Sequence, residues 1–404
     1  MASPGRVLII VENLPVPFDR RVWLESTTLR QAGYQVSVIC PKDKGFEESY
    51  EVIDGIHVYR HQMPPEISSV YGYLREYFWA VIWEFRLAHR VWKEQGFDLI
   101  HICNPPDLLF LVAAWFKLWR RVRVIFDHHD INPEMYEAKY ARRDIFYYGL
   151  RWAERLTFAT ANVSICTNES YREVALTRGR KKPEDVFVVR SGPNLEKFRL
   201  VPPNPFYRRG RQYLVGYVGV MGEPEGIDYL LEAVKYIVRS KGRQDIQFML
   251  IGSGPMFEQL QVLNEKLGIT EFVEFTGRIP NDELLARLST CDVCVNPDRK
   301  NPYNDRSTMN KIMEYMALGK PIVQFDLLEG RRSAEGASVY ARGNDPIDFG
   351  DKILELLADP DRRKQMGEEG QRRMEDKLEW RHQAPKLLEA YAKAFKGYKN
   401  KKGN

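Results

Sequence analysis

Short runs of branched apolar residues alternate along this chain with longer amphipathic segments, and that alternation constrains the fold more than any single motif. Arg6–Val11 is the first run, V, L and I in succession between polar residues, the pattern of a strand buried on both faces of a parallel sheet. A loop, a helical segment ending at Gly33 and a second run, Tyr34–Cys40, complete a strand–helix–strand unit of about 30 residues. Residues 51–61 read as a hairpin turning at Asp54-Gly55, and 68–95 as a long aromatic helix. Further runs follow at 97–103, 122–130, 162–167 and 186–192. Strict alternation of this kind predicts a doubly wound α/β domain over residues 1–195. Residues 196–212, rich in proline and without periodicity, read as a linker. A second series, with runs opening at Tyr213, Ile246, Phe272, Cys291 and Pro321, predicts another doubly wound domain over 213–376. Residues 377–404 read as a terminal helix, expected to pack back on the first domain, and a lysine-rich tail. The pattern therefore predicts two α/β domains facing each other, with ligand at the strand C-termini and in the cleft between them.

Asn304–Val323 is the most informative stretch for function. Ser307 or Thr308 can cap a helix whose apolar face is Ile312, Met313 and Met316. Gly319 suits the stop, and Pro321 blocks continuation before a buried strand. A polar loop feeding a helix N-terminus presents free N–H groups and the positive end of the dipole, a ready anion site. Lys311 and Glu314 lie inside that helix.

Several function classes are excluded. The first turn lacks GxGxxG, so the nicotinamide dinucleotide fingerprint is absent; Phe18, Asp19, Arg20 and Arg21 stand there instead. The net charge of +5 is dispersed along the chain, which is no nucleic-acid footprint. The five cysteines sit mainly in apolar runs, so reduced cytosolic thiols are expected, and Cys291 and Cys294 read as core residues rather than a metal pair. No apolar stretch approaches the ~20 residues of a membrane span. The expectation is a cytoplasmic protein, soluble or peripheral on the inner face of the membrane. Two aromatic segments, Tyr71–Trp92 and Trp115–Arg123, fit either a membrane surface or a packed core.

The motifs resemble a known family. Ile251–Leu260 (IGSGPMFEQL) resembles a strand–GxG–helix segment, and Phe272–Pro280 followed by Cys291–Pro297 resembles the next two strands. Val188–Phe198 resembles its interdomain linker and Lys311–Val323 the helix carrying its ribose-binding glutamate. In this order they resemble retaining glycosyltransferases of family 4, whose GT-B architecture is two Rossmann-like domains. The resemblance covers nearly the whole chain. It implies transfer of a sugar from a nucleotide-diphosphate donor to a glycan or lipid-linked acceptor, with retention, in polysaccharide or other glycoconjugate synthesis. The nucleotide sugar would be a co-substrate; no metal and no other cofactor are expected.

By the same resemblance the donor lies on the second domain and the acceptor on the first. Glu314 would bond the ribose, the backbone of Ser307, Thr308 and Met309 would meet the diphosphate with Lys311 nearby, and Arg278 and Ile279 would flank the base. Gly219 and Gly222 would let their loop approach the phosphates. His129, with Asp130, matches the histidine that touches the transferred sugar; His128 is the other candidate. Asp19, Arg20, Asn104 and Asp107 are placed to meet acceptor. Three positions depart from the family pattern. Arg306 replaces a glutamate, Glu223 and Glu225 occupy a loop that is usually basic, and Phe18-Asp19 replaces a glycine pair. Arg306, Lys311 and Arg20 can restore the missing positive charge, with Glu223 or Asp305 taking sugar hydroxyls. The departures also allow a catalytically altered scaffold that binds nucleotide sugar or a protein partner without transfer.

Overall fold

The structure, a computed structural model, describes residues 4–62, 70–195 and 198–398. It divides into two compact units, the first made of 1–191 with 383–404 and the second of 192–382.

In the first unit the strands are β1 Arg6–Ile10, β2 Gln35–Pro41, β3 Tyr50–Ile53, β4 Ile56–His61, β5 Leu99–Cys103, β6 Arg123–His128, β7 Val163–Cys166 and β8 Val186–Val188. They form one sheet in the order β3-β4-β2-β1-β5-β6-β7-β8, parallel except for the β3–β4 hairpin. β1 lies between β2 and β5, so chain order reverses at its C-terminal end, where a doubly wound sheet opens a crevice. The central strands are buried and mostly apolar because helices cover both faces, with His101 on β5 and Asp127 and His128 on β6 as buried polar residues among them. The stretch between β6 and β7 holds two helices, Asn132–Tyr140 and Ile145–Thr160, broken where Ala141 turns left-handed. Terminal helix Trp380–Phe395 adds Tyr391 to the first unit's core, its hydroxyl 2.7 Å from His101 Nδ1.

In the second unit β9 Tyr213–Val218, β10 Ile246–Ile251, β11 Val273–Gly277, β12 Val293–Asn296, β13 Ile322–Phe325 and β14 Ser338–Ala341 make an all-parallel sheet. Their order is β11-β10-β9-β12-β13-β14, with the switch point between β9 and β12. Successive residues of each strand face opposite ways, so Val215, Val293 and Val323 join one buried cluster and Leu214, Cys294 and Ile322 the other. Cys291 and Cys294 are buried free thiols in this core, and burial pushes the Cys294 thiol up. The proline-rich segment read as a linker is anchored on the second unit: the Val201 and Asn204 amides donate to Ser289 Oγ and Thr290 Oγ1. Glu196, Lys197 and the tail from 399 onward lie outside the described residues.

Candidate active site

The second unit's switch point is built on a close approach of two loops. Gly219 follows β9 and Gly252 follows β10 with φ +131°; a Cβ on Gly252 would stand 1.9 Å from the Gly219 carbonyl, so only glycine fits. A Cβ on Gly219 would meet the Tyr217 hydroxyl at 2.7 Å and Lys311 Cε at 3.3 Å, so this glycine makes room for the protein's own side chains as well. Tyr315, from helix Asn310–Ala317, fixes the turn: its hydroxyl accepts from Val218 N (2.9 Å) and donates to Val295 O (3.2 Å).

Lys311 crosses this turn. Its ammonium lies 4.9 Å from the Tyr217 ring centroid and 2.9 Å from Asp298 Oδ1. Burial opposes the charge, but Asp298, Tyr217 and Glu225 outweigh it and hold the lysine above the usual ammonium range. Burial pushes Asp298 up against the pull of Lys311, and likewise Glu225, whose Oε2 also accepts from Gly222 N at 3.1 Å. The loop read as lacking its basic residue thus has a cation beside it, delivered by another element. The sequence marks Glu225 only as an acidic departure in its loop, and does not mark Asp298, Tyr217 or Tyr315. Position was the only available signal for Asp298, two residues beyond the end of β12.

Several expected contacts fall differently. The helix starts at Asn310 with Met309 as N-cap and no side-chain cap, because Ser307 Oγ donates to Tyr303 O at 2.8 Å instead. Asp305 holds the next helix, its Oδ1 accepting from Leu328 N at 3.0 Å. Exposed Glu223 pairs with Arg299 at 3.2 Å. Arg306 and Arg278 are exposed, Thr308, Met309, Glu314 and Ile279 half-buried, and Ile279 packs on the cluster of Leu214, Cys294 and Ile322.

At the first unit's switch point Asp127, the buried penultimate residue of β6, gathers the polar groups. Arg21 grips it with both arms (2.8 and 2.9 Å), and His129 Nε2 lies 2.6 Å from its Oδ2. The same nitrogen is 3.1 Å from Arg21 Nε; the shorter carboxylate contact assigns the proton to Nε2, which donates to Asp127. Burial works to raise Asp127, but Arg21, His129 and His101 hold it well below the usual carboxylate range. Arg21 also reaches Val189 O (2.8 Å), Ser191 Oγ (3.0 Å) and Glu25 (3.1 Å). Burial and the Asp127 charge push Glu25 well up. Arg21 is therefore an internal strut, not an acceptor-facing cation; Arg20 beside it is exposed, and Asp19 is the N-cap, accepting from Val22 N.

Of the two histidines only His129 reaches the surface. His128 is fully buried among Phe126, Phe158 and Tyr171, 3.6 Å from Glu154, so it belongs to the core and not to catalysis. The carboxylate holding His129 is Asp127; Asp130 offers its backbone to Asn104. Asn104 is buried and fully engaged: Oδ1 accepts from His129 N (2.8 Å) and Asp130 N (3.3 Å), and Nδ2 donates to Asp130 O (2.6 Å) and Asp107 (3.0 Å). Asn104 and Asp107 thus shape the His129 loop instead of meeting acceptor.

Burial and the nearby Glu154 charge push Asp107 up to about 8, against the pull of the Asn132 and Asn104 amides. The Asn132 amide oxygen has no partner among the described residues; turned over, it accepts the Asp107 hydroxyl proton across the same 2.6 Å. An unfolded aspartate ionises near ~4, so between there and the folded value the folded state holds the extra proton. This group's stabilisation is complete below pH ~4 and is lost as pH rises through about 8. Asp107→Asn is expected to flatten Tm against pH across that window; an unchanged slope would show an ionised Asp107.

Two doubly wound units of this kind, each with its own switch point, are the GT-B architecture of two Rossmann-like domains. Residues 19–197 match the family model described as Glycosyltransferase Family 4, and residues 212–359 that described as Glycosyl transferases group 1. Together the two matches support a GT-B glycosyltransferase of the family 4 type. The chain is 28% identical to an uncharacterized glycosyltransferase, MJ1178, of Methanocaldococcus jannaschii, over 73% of this chain and 75% of the other. Sucrose-phosphate synthase from Thermosynechococcus elongatus shares its fold, with TM-score 0.80 and 19% identity over 97% of this chain and 99% of the other. So does Anabaena Alr3699/HepE, whose structure is a complex with UDP-glucose, with TM-score 0.72 and 16% identity over 96% and 99%.

Proposed function

We propose that this glycosyltransferase moves a sugar, with retention, from a nucleotide-diphosphate donor on the second unit to a glycan or lipid-linked acceptor served by the first. The observation that carries the reading is Lys311, a largely buried ammonium beside the glycine-lined β9 turn. A departing diphosphate builds negative charge, and a preset cation with helix N–H groups stabilises it without a metal ion in the transfer step. Glu314, on the same helix, binds the ribose hydroxyls; Ser307, Thr308 and Met309 offer backbone N–H groups, and Arg278 and Ile279 flank the base. His129, oriented by Asp127, meets the transferred sugar. The fold neighbour that binds UDP-glucose makes a UDP-sugar the first donor to try. A thermal-shift panel of UDP-, GDP- and ADP-sugars tests it, since a ligand at 100 times its Kd adds about 2.7 kcal/mol of stability. No shift with any of them sinks the reading.

A second reading has its own observation. Asp298 and Glu225 together offset the Lys311 charge, which suits a scaffold that holds nucleotide sugar without transferring it. Donor binding with neither transfer nor hydrolysis would favour it.

Among the described residues no helix is long and apolar enough to cross a membrane. Helices Phe110–Arg120 and Ile145–Thr160 carry one group of exposed apolar side chains: Leu118, Trp119, Ile145, Tyr148 and Trp152 are more than half exposed beside Arg120, Arg121 and Arg151. The Tyr71–Trp92 segment is partly core: Phe85 and Trp92 pack with Trp115, Phe97 and Phe116, while the side chains of Tyr71, Tyr73, Tyr77 and Phe78 lie outside the described residues. Exposed Trp and Leu beside Arg suit peripheral contact with an anionic membrane carrying a lipid-linked acceptor. The protein is expected to float with anionic liposomes and Trp119→Ser/Trp152→Ser to stay behind; equal behaviour of both rejects the contact.

A further inference from the structure

A second polar cluster lies in the first unit, away from the Asp127 network. Glu12 follows β1, His61 ends β4 and Glu84 comes from helix Val70–Glu94. All three are buried, Glu84 completely, and one donor atom from each lies within 4.8 Å of the others. Both Glu84 carboxylate oxygens and Glu12 Oε1 have no hydrogen-bond partner among the described residues. Arg60, next to His61, does not serve them: its guanidinium donates to Val16 O and Glu48 O and pairs with Glu51. Two buried carboxylates without a matching cation are costly, because burial strips their hydration.

The histidine narrows what neutralises them. His61 Nε2 is 2.8 Å from Glu12 Oε2, and Nδ1 is 3.4 Å from the Gln62 carbonyl. If Nδ1 carries the proton toward that carbonyl, Nε2 turns a lone pair toward a carboxylate. Something positive must then lie between them, a proton or a metal ion.

We propose that Glu12, His61 and Glu84 form a binding site for a borderline divalent cation of the zinc or manganese type. One imidazole and two carboxylates are a donor set for such ions, whereas calcium takes six to eight oxygens. Ligands about 2.1 Å from a shared tetrahedral ion stand about 3.4 Å apart, so the His61–Glu12 pair, at 2.8 Å, would open and the widest separation, within 4.8 Å, would close. The Gln62 carbonyl supplies the outer contact that sets the ring tautomer. The ion would tie β1, the end of β4 and helix Val70–Glu94 together where the chain leaves β1 for the loop to Asp19. The site is structural and independent of the donor reading.

The full chain, stripped with chelator and dialysed, is titrated calorimetrically with ZnCl2 and with MnCl2, and metal content is measured by mass spectrometry. One equivalent is expected to bind to the wild type, with affinity at least about 100-fold lower in Glu84→Gln. Co2+ is expected to give visible ligand-field bands in the wild type that are missing from Glu84→Gln. His61→Gln, checked for folding by circular dichroism, repeats the comparison should Glu84→Gln be unstable. Equal binding by wild type and variants assigns the metal to surface groups and overturns the site. No binding by the wild type also overturns it, and leaves a proton shared between Glu84 and Glu12.

Discussion

Arg21→Met is expected to destabilise the first unit by about 3–5 kcal/mol, the usual result of removing one partner from a buried ion pair. The guanidinium has four groups to satisfy: Asp127 through two hydrogen bonds, Glu25, the Val189 carbonyl and Ser191 Oγ. Without it two carboxylates, both fully buried, face one another. Urea midpoints measure the loss. The decisive comparison is Arg21→Met/Asp127→Asn: removing both charges is expected to recover much of the stability. Losses that simply add would mean that the two side chains are not coupled. Acid supplies an independent check. Asp127 is held below its unfolded value, so its stabilisation is present above pH ~4 and is lost as pH falls through the lower folded value. Arg21→Met removes the main favourable partner, so the acid limb of the stability curve is expected to flatten. His129 loses its anchor in the same variant, because Asp127 no longer has a fixed orientation.

The alternation of strands and helices was legible because a doubly wound sheet buries both faces of its strands. Uninterrupted runs such as Val7–Ile10 and Val124–Phe126 carry that signal locally. The site was legible only where a short segment contains it. Asn304–Val323 shows its helix and stop, and the Asp127–Asp130 region shows its histidines. Which histidine reaches the surface was decided by the pleat. His128, the last residue of β6, points into the aromatic core, and His129, just past the strand, turns back to Asp127. The pairing of Arg21 with Asp127 joins residues 106 positions apart, and no periodicity encodes such a pair. The same holds for Lys311. Its neighbours in sequence mark a helix start, yet its charge is set by Asp298 and Glu225, which only the order of β9 and β12 in the sheet brings to it.

Lys311→Met is the strongest test of the donor site. A charge-assisted hydrogen bond contributes about 1.5–3 kcal/mol. Nucleoside-diphosphate affinity is therefore expected to fall by roughly 10- to 100-fold at 1.4 kcal/mol per decade. Loss of affinity alone leaves an ambiguity, because Lys311 also stabilises Asp298 and Glu225, and its removal leaves two carboxylates that repel an incoming phosphate. Asp298→Asn separates the two roles. It releases Lys311 from its 2.9 Å ion pair and removes one negative charge from the turn. Affinity is then expected to hold or rise if the ammonium binds phosphate, and to fall as in Lys311→Met if the pair is only a brace for the β9 turn. The double variant Lys311→Met/Asp298→Asn completes the argument. With the charges removed together the fold is expected to regain stability, as buried pairs do when both partners go. Donor affinity is expected to stay low, since no cation remains beside the glycine-lined turn. Recovery of donor binding in that double variant would move the diphosphate away from Lys311, toward Arg306 or Arg299.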